Sequence, residues 1–341
     1  MDTQPMNNRE FRYGVQYYDA IVAGGGITGM AAALTLAQSG MSVVITEPTG
    51  TLGREIVRAR NQFVRMPHYS RVSSSMDEFF YCLKQRNGWF NGEIDPSAAA
   101  LAFDDLVEQH HIEVLFNVWP SHISVEDRKV NGAVFATKTG YSSIPASRVI
   151  DASIHGKLAG KWFGCDRNSN EKSVVHLLFN GVRGEAAAKR VITLEGLGEL
   201  LVICRPTYWK EEVRVSLMVS KAVSRSEWMH HLPVLLPVLQ QQFPSLNSGG
   251  MSFVSEEVWQ TPDVQFHTQS EDDRMIGCIE APDGKPFEIR HNLLSDPQII
   301  QGFTMCGTWL KGFPFDPYLE EISIVNAFRL GDLAGQSLLN D

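Results

Sequence analysis

Three glycines and one acid have the types and spacing to hold a nucleotide. Gly24, Gly26 and Gly29 form G-x-G-x-x-G, and Glu47 follows. Gly24 lets the chain turn tightly, Gly26 lets a pyrophosphate approach the backbone, and Gly29 lets a helix and a strand pack closely. The whole turn, Gly24-Gly25-Gly26-Ile27-Thr28-Gly29, is the candidate phosphate cradle. A helix starting there adds free N–H groups and the positive end of its dipole. Glu47 suits a ribose 2′-OH and would repel a 2′-phosphate.

The elements needed to position these residues are legible. Asp19–Ala23 reads as a buried strand, Met30–Gln38 as an apolar helix stopped at Gly40, and Met41–Thr46 as a second buried strand. Ala33 keeps the helix–strand contact small. The plain alternative is a glycine-rich turn with no ligand. The complete strand–turn–helix–strand unit with its acid favours the nucleotide.

Further along, Arg54, Arg58, Arg60, Arg65 and Arg71 stand against a single acid, Glu55. As a run, they are best read as a solvated basic face paired with acids elsewhere. Arg54, nearest to Glu47, is expected to reach cofactor phosphates, and the others would suit an anionic substrate. His68 would point into the same cavity or serve the structure.

The chain has 341 residues, 43% of them hydrophobic, which is ample for a core. Its formal charge of −9 argues against a general nucleic-acid binder. No apolar run reaches the roughly 18 residues of a spanning helix, so no membrane insertion is expected. The polar N-terminus lacks the apolar core of a signal peptide. The five cysteines are scattered, which fits reduced thiols in the cytoplasm and neither disulfides nor a metal site.

Helices are expected at Ser74–Lys84 and Asp95–His110, the second capped by Asp95 or Ser97 and buried through Leu101, Phe103, Leu106 and Val107. A strand at Ile112–Phe116 leads into a meander of His122–Val125, Val130–Thr137 and Tyr141–Ile144. Arg148–Ala152 is a further buried strand. From Lys172 the pattern becomes β-rich, with strands at Val174–Phe179, Val191–Leu194, Glu199–Cys204 and Glu212–Val219 and a helix at Ser226–Gln242. Ser252–Gln260 and Val264–His267 suggest more strands, and Leu293–Gln301 a helix or turn. Tyr318–Leu339 reads as a long final helix with a small face of Gly331, Ala334 and Gly335.

With these positions in place, the chain resembles the FAD-dependent oxidoreductases of the glutathione-reductase-like, two-dinucleotide-fold class, and within it the fumarate-reductase-like branch. The matches are Gly24–Glu47, the meander followed by Val149-Ile150-Asp151-Ala152-Ser153, the strand Phe303–Gly307, and Ala327–Gly335. The resemblance implies an extended FAD. Its pyrophosphate would meet the glycine turn, its ribose Glu47 and its adenine Val118. Ala152, Ser153 and Gly307 would line its path, and its ring would meet Pro317, Tyr318 and Leu319. The chain departs from the family at Leu52-Gly53-Arg54, at Ile154-His155 and at Thr308-Trp309. It has no match to the catalytic His and Arg set of fumarate reductases and no second glycine motif for a nicotinamide cofactor.

The expected fold is α/β: a Rossmann-like FAD-binding domain with a parallel sheet and β-meander, plus an inserted β-rich α+β substrate domain. The cofactor domain takes residues 15–171 and 268–341, and the insert 172–267. The expected activity is hydride transfer from a small organic substrate to flavin by an oxidase or dehydrogenase. His68, His155 and Tyr318 are the proton-handling candidates, and Cys306 reads as a buried small hydrophobe rather than a reactive thiol. The alternatives are a partner-dependent FAD-binding subunit of a larger complex and an NAD-linked enzyme. A partner subunit or homo-oligomer is compatible with either. A substrate cavity is expected between Tyr208-Trp209 or Trp228 and the arginine loop.

Overall fold

The apolar runs on either side of the glycine turn become neighbouring parallel strands. The computed structural model describes residues 16–65, 73–163, 165–167, 172–261, 264–266, 268–281, 283–307 and 320–340. In it β1 (Tyr18–Ala23) leads through the turn into α1 (Ile27–Gln38), and β2 (Val43–Glu47) returns beside β1 with Ala23 opposite Thr46. Both strands are buried almost throughout, as parallel strands covered on two faces must be. A short helix α2 (Arg54–Val57) is followed by α3 (Ser74–Gln85) and α4 (Pro96–Gln109). Asp95 caps α4 by accepting the Ala98 N–H. Phe103 and Leu106 are buried in that helix, but Leu101 is 48% exposed. It lies two residues from Phe103, about 200° around the helix, so both cannot face the core.

Strand β3 (Glu113–Phe116) pairs with β2, and β4 (Trp119–Glu126), β5 (Lys129–Thr137) and β6 (Gly140–Asp151) form the meander. The two strands expected at Tyr141–Ile144 and Arg148–Ala152 are one. The first half of β6 pairs antiparallel with β5, and its second half pairs parallel with β1. Burial follows the change of partner: Tyr141 to Ile144 alternate between exposed and buried, whereas Val149, Ile150 and Asp151 are all buried. The sheet order is β3-β2-β1-β6-β5-β4.

A short strand β7 (Cys165–Arg167) precedes β8 (Lys172–Asn180), β9 (Ala188–Leu194), β10 (Gly198–Pro206), β11 (Glu212–Val219), α5 (Arg225–Gln242), β12 (Gly250–Val254), β13 (Trp259–Thr261) and β14 (Val264–Phe266). Their antiparallel sheet has the order β12-β8-β11-β10-β9, with β13 also on β8. Strands β7 and β14 pair with each other, so the chain enters and leaves this sheet as one ribbon. Trp228 on α5 is buried in the sheet's own core with Leu217, Leu235 and Leu239. It is a core residue there and not a cavity wall.

The chain then forms a hairpin, β15 (Met275–Glu280) and β16 (Pro286–Arg290), a short helix α6 (His291–Leu294), and β17 (Phe303–Met305), which pairs parallel with β6. The helix or turn expected at Leu293–Gln301 is thus only the end of α6 followed by turns. The final helix α7 (Glu320–Asn340) lays its small face on α1. A Cβ on Gly331 would lie 2.2 Å from the carbonyl oxygen of Thr28, and one on Gly335 2.8 Å from Cβ of Thr35. Asp332 fixes the register, accepting from Ser75 Oγ at 2.6 Å and Thr35 Oγ1 at 3.1 Å. Among the described residues no helix is long and apolar enough to cross a membrane.

Gly331→Val should force α7 off α1 and lower stability by about 1–3 kcal/mol. An unchanged urea midpoint would contradict the packing.

Candidate functional site

The glycine turn closes against three other segments. Gly24 has φ +118°, and a Cβ there would lie 2.4 Å from the Ala152 carbonyl oxygen. A Cβ on Gly29 would lie 1.9 Å from the carbonyl oxygen of Gly24. Both positions require glycine, which brings β1, α1 and the end of β6 together. Gly53, with φ +59°, donates its N–H to the Gly25 carbonyl and turns the chain so that α2 folds back over the start of α1.

The buried start of α1 carries N–H groups that need acceptors, and two carboxylates serve this turn. Glu47 Oε2 accepts from the Gly25 N–H and its Oε1 from the Thr49 N–H, each at 2.8 Å. Glu55 Oε2 accepts from the Ile27 N–H at 3.0 Å. A Cβ on Gly26 would lie only 2.5 Å from Glu55 Oε1. Burial pushes the Glu55 carboxyl above its ordinary range, against the opposing pull of Arg54.

A narrow cavity of about 30 Å³ opens at this point. Of the expected cofactor residues it gathers Gly26, Thr28, Arg54, Ala152, Ser153 and Gly307, together with His155. It adds Glu55, Ile154 and Gln260, which sequence reasoning missed. His155 is half-buried with φ +66°. Arg54 lines the cavity while its guanidinium pairs with Glu257 at 2.9 Å. Ser153 is committed to the turn: its hydroxyl donates to Asp151 and accepts the Lys157 N–H. Asp151 also accepts from the N–H groups of Ser153, Leu158 and Ala159. Cys306 is fully buried, and burial, then Asp151 and Asp332, push its thiol well above the ordinary range, so it is no reactive thiolate.

Val118 is held apart from that cavity. Its N–H donates to the Glu47 carbonyl, and its side chain lines a second space of about 360 Å³ between the end of β3 and the inner face of the meander. His68, Arg71, Pro317, Tyr318 and Leu319 lie outside the described residues.

A network runs from Glu55 into the second sheet. Asn61 donates to the Glu55 carbonyl through its backbone and side-chain N–H groups. Its Oδ1 lies 3.1 Å from Nε2 of His176, whose Nδ1 lies 2.9 Å from Ser216 Oγ. Burial, with Arg214 nearby, pulls His176 well below its ordinary range, so it is neutral. A neutral ring donates from Nε2 to Asn61 and accepts at Nδ1 from Ser216. No local pattern in the strand marked this histidine.

Of the described arginines, Arg54, Arg58 and Arg65 are paired with acids elsewhere: Arg54 meets Glu257, Arg58 meets Glu256 and Glu257, and Arg65 meets Glu280. A cavity of about 270 Å³ does lie where Trp209 approaches the loop. Tyr208 beside it stacks on Phe90 with centroids 3.6 Å apart. Arg60 faces Glu93, Asp95 and Glu212 in its lining, so its charge does not favour an anion. Among the described residues no cluster of His, Cys, Asp or Glu side chains could hold a metal ion.

The sequence profile of the family described as FAD dependent oxidoreductase matches residues 19–214, more than half of the chain. Solved structures share the fold at low identity. A geranylgeranyl bacteriochlorophyll reductase-like protein of Thermoplasma acidophilum is 14% identical, with a TM-score of 0.59 over 95% of this chain and 78% of that one. A flavoprotein/dehydrogenase of Cytophaga hutchinsonii is 16% identical, with a TM-score of 0.58 over 95% and 78%. A myxobacterial chondrochloren halogenase, an FAD-dependent halogenase, is 15% identical, with a TM-score of 0.57 over 92% and 72%. No curated protein sequence matches the chain.

Glu47→Ala should strand the Gly25 and Thr49 N–H groups and lower fold stability by about 1–3 kcal/mol. Chemical denaturation checks this; an unchanged midpoint would mean that Glu47 does not hold the turn.

Proposed function

The chain belongs to the FAD dependent oxidoreductase family, and from that premise we propose that it is an oxidase or dehydrogenase moving hydride between a small organic substrate and FAD. It is an FAD-dependent enzyme, and FAD is its cofactor. The observation that carries the finer reading is the glycine turn at the start of α1, where the bare Cα of Gly26 and the Ile27 N–H meet a carboxylate and Glu47 stands at the end of β2. The donor set suits a pyrophosphate. Gly26 and the first N–H groups of α1 would hold the phosphates, Glu47 the ribose, and Gly307 the approach to the flavin. The adenine would lie toward Val118 and the ring toward residues 317–319. This is the extended arrangement of glutathione-reductase-like flavoproteins. The His and Arg set of fumarate reductases has no match here, so fumarate-type chemistry is outside the reading.

When bound, the flavin supplies a two-electron centre for hydride. The chain supplies position and proton handling. The buried turn would fix the phosphate end. His155, which lines the cavity beside Gly26 together with Gly307, is the described imidazole assigned to hold a proton there. Residues 172–267 would be the substrate-facing unit, with Trp209 lining a cavity together with Phe90. Three acids against Arg60 there speak for a neutral or cationic substrate over the anionic one suggested by the arginine run. Electrons would come from the substrate itself or from a partner subunit. The free thiols of Cys82, Cys204, Cys278 and Cys306 suit a cytoplasmic setting.

The purified protein should be yellow, with flavin bands near ~370 and ~450 nm. A colourless protein that takes up no added FAD would overturn the reading.

A further inference from the structure

Glu55 stands where the phosphates of a dinucleotide would be expected. Its Oε2 takes the Ile27 N–H, and its Oε1 sits against the bare Cα of Gly26. Gly26 lacks a side chain at the point where a phosphate must come close. The cavity beside it, at about 30 Å³, has room for about one water and not for a pyrophosphate. We propose that Glu55 is an internal anion seated at the phosphate site, so that cofactor binding exchanges one anion for another at the α1 N-terminus. This rests on the placement of FAD given above.

Three further features agree with an exchange. Burial pushes the Glu55 carboxyl up, so the charged form is held at a cost that its return to water would relieve. The segment that carries Glu55 starts at Gly53, whose left-handed backbone makes the turn, and runs for only one helical turn. The charged groups facing Glu55 are Arg54, whose Nε lies 3.9 Å from Oε1, and Glu257, which pairs with Arg54. Arg54 is therefore a counter-charge available to the glutamate once it leaves the turn. His155 is the remaining titratable group on the cavity. The Glu55 backbone stays anchored by Asn61, so the exchange moves the side chain and leaves α2 in place.

Glu55 thereby weakens the resting affinity for FAD and makes its uptake depend on a side-chain movement. A ligand without phosphates would not compete with it. The test uses the full chain freed of flavin, titrated with FAD and separately with riboflavin, in the wild type, Glu55→Gln and Glu55→Ala. Glu55→Gln keeps the shape and an acceptor for the Ile27 N–H, which guards against a folding defect in the shorter variant. Glu55→Ala should bind FAD about ten- to a hundredfold more tightly, the equivalent of one charge-assisted hydrogen bond lost by the competitor. Glu55→Gln should lie between, and riboflavin affinity should be alike in all three. Equal or weaker FAD binding in both variants, or an equal gain for riboflavin, would overturn the proposal while leaving wild-type FAD binding intact. Failure of all three proteins to bind FAD would overturn the proposal together with the cofactor placement.

Discussion

The start of α1 is buried, and its N–H groups need acceptors. That requirement organises this molecule. Glu47 reaches the turn from the end of β2, and Glu55 reaches it from the loop beyond. The strand–turn–helix unit places the N–H groups in the protein interior, where an unpaired donor is destabilising by about 1–3 kcal/mol. The N–H groups proposed above to seat phosphates are thus ones that the protein meets with its own carboxylates.

The surrounding packing keeps that seat rigid. α7 lies against α1 through Gly331 and Gly335, and its Asp332 ties α1 to α3. Asp151 gathers the chain after β6 into a turn whose first residues pass over Gly24. Asn61 and the neutral His176 carry the connection onward, from the backbone of Glu55 to the second sheet. A shift of α2 would be felt by β8 through this pair, so the glycine turn and the second sheet share a mechanical link.

Much of this was legible because local pattern and tertiary role agree. The glycine spacing, the apolar strands and the small face of α7 each report a constraint that a short window contains. In sequence β6 reads as two strands because its burial changes from alternating to continuous halfway, where its partner changes from β5 to β1. The β15–β16 hairpin was missed although Asp283-Gly284 is a turn signal. Glu55 was visible only as the lone acid among arginines. What gives it a role is the fold of Gly53 back onto Gly25, which a one-dimensional pattern does not contain. The arginines were conspicuous in sequence for the same reason that they are quiet in structure: their partners, Glu256, Glu257 and Glu280, lie far along the chain.

The central claim is that FAD phosphates are held at Gly26 and the α1 N-terminus, and Gly26→Val tests it most directly. The branched side chain would fill the space now bordered by the Glu55 carboxylate. Flavin retained per chain should be read beside the circular dichroism spectrum. The variant should keep the spectrum of the wild type and bind no flavin. A folded Gly26→Val protein that keeps a full complement of FAD would contradict it.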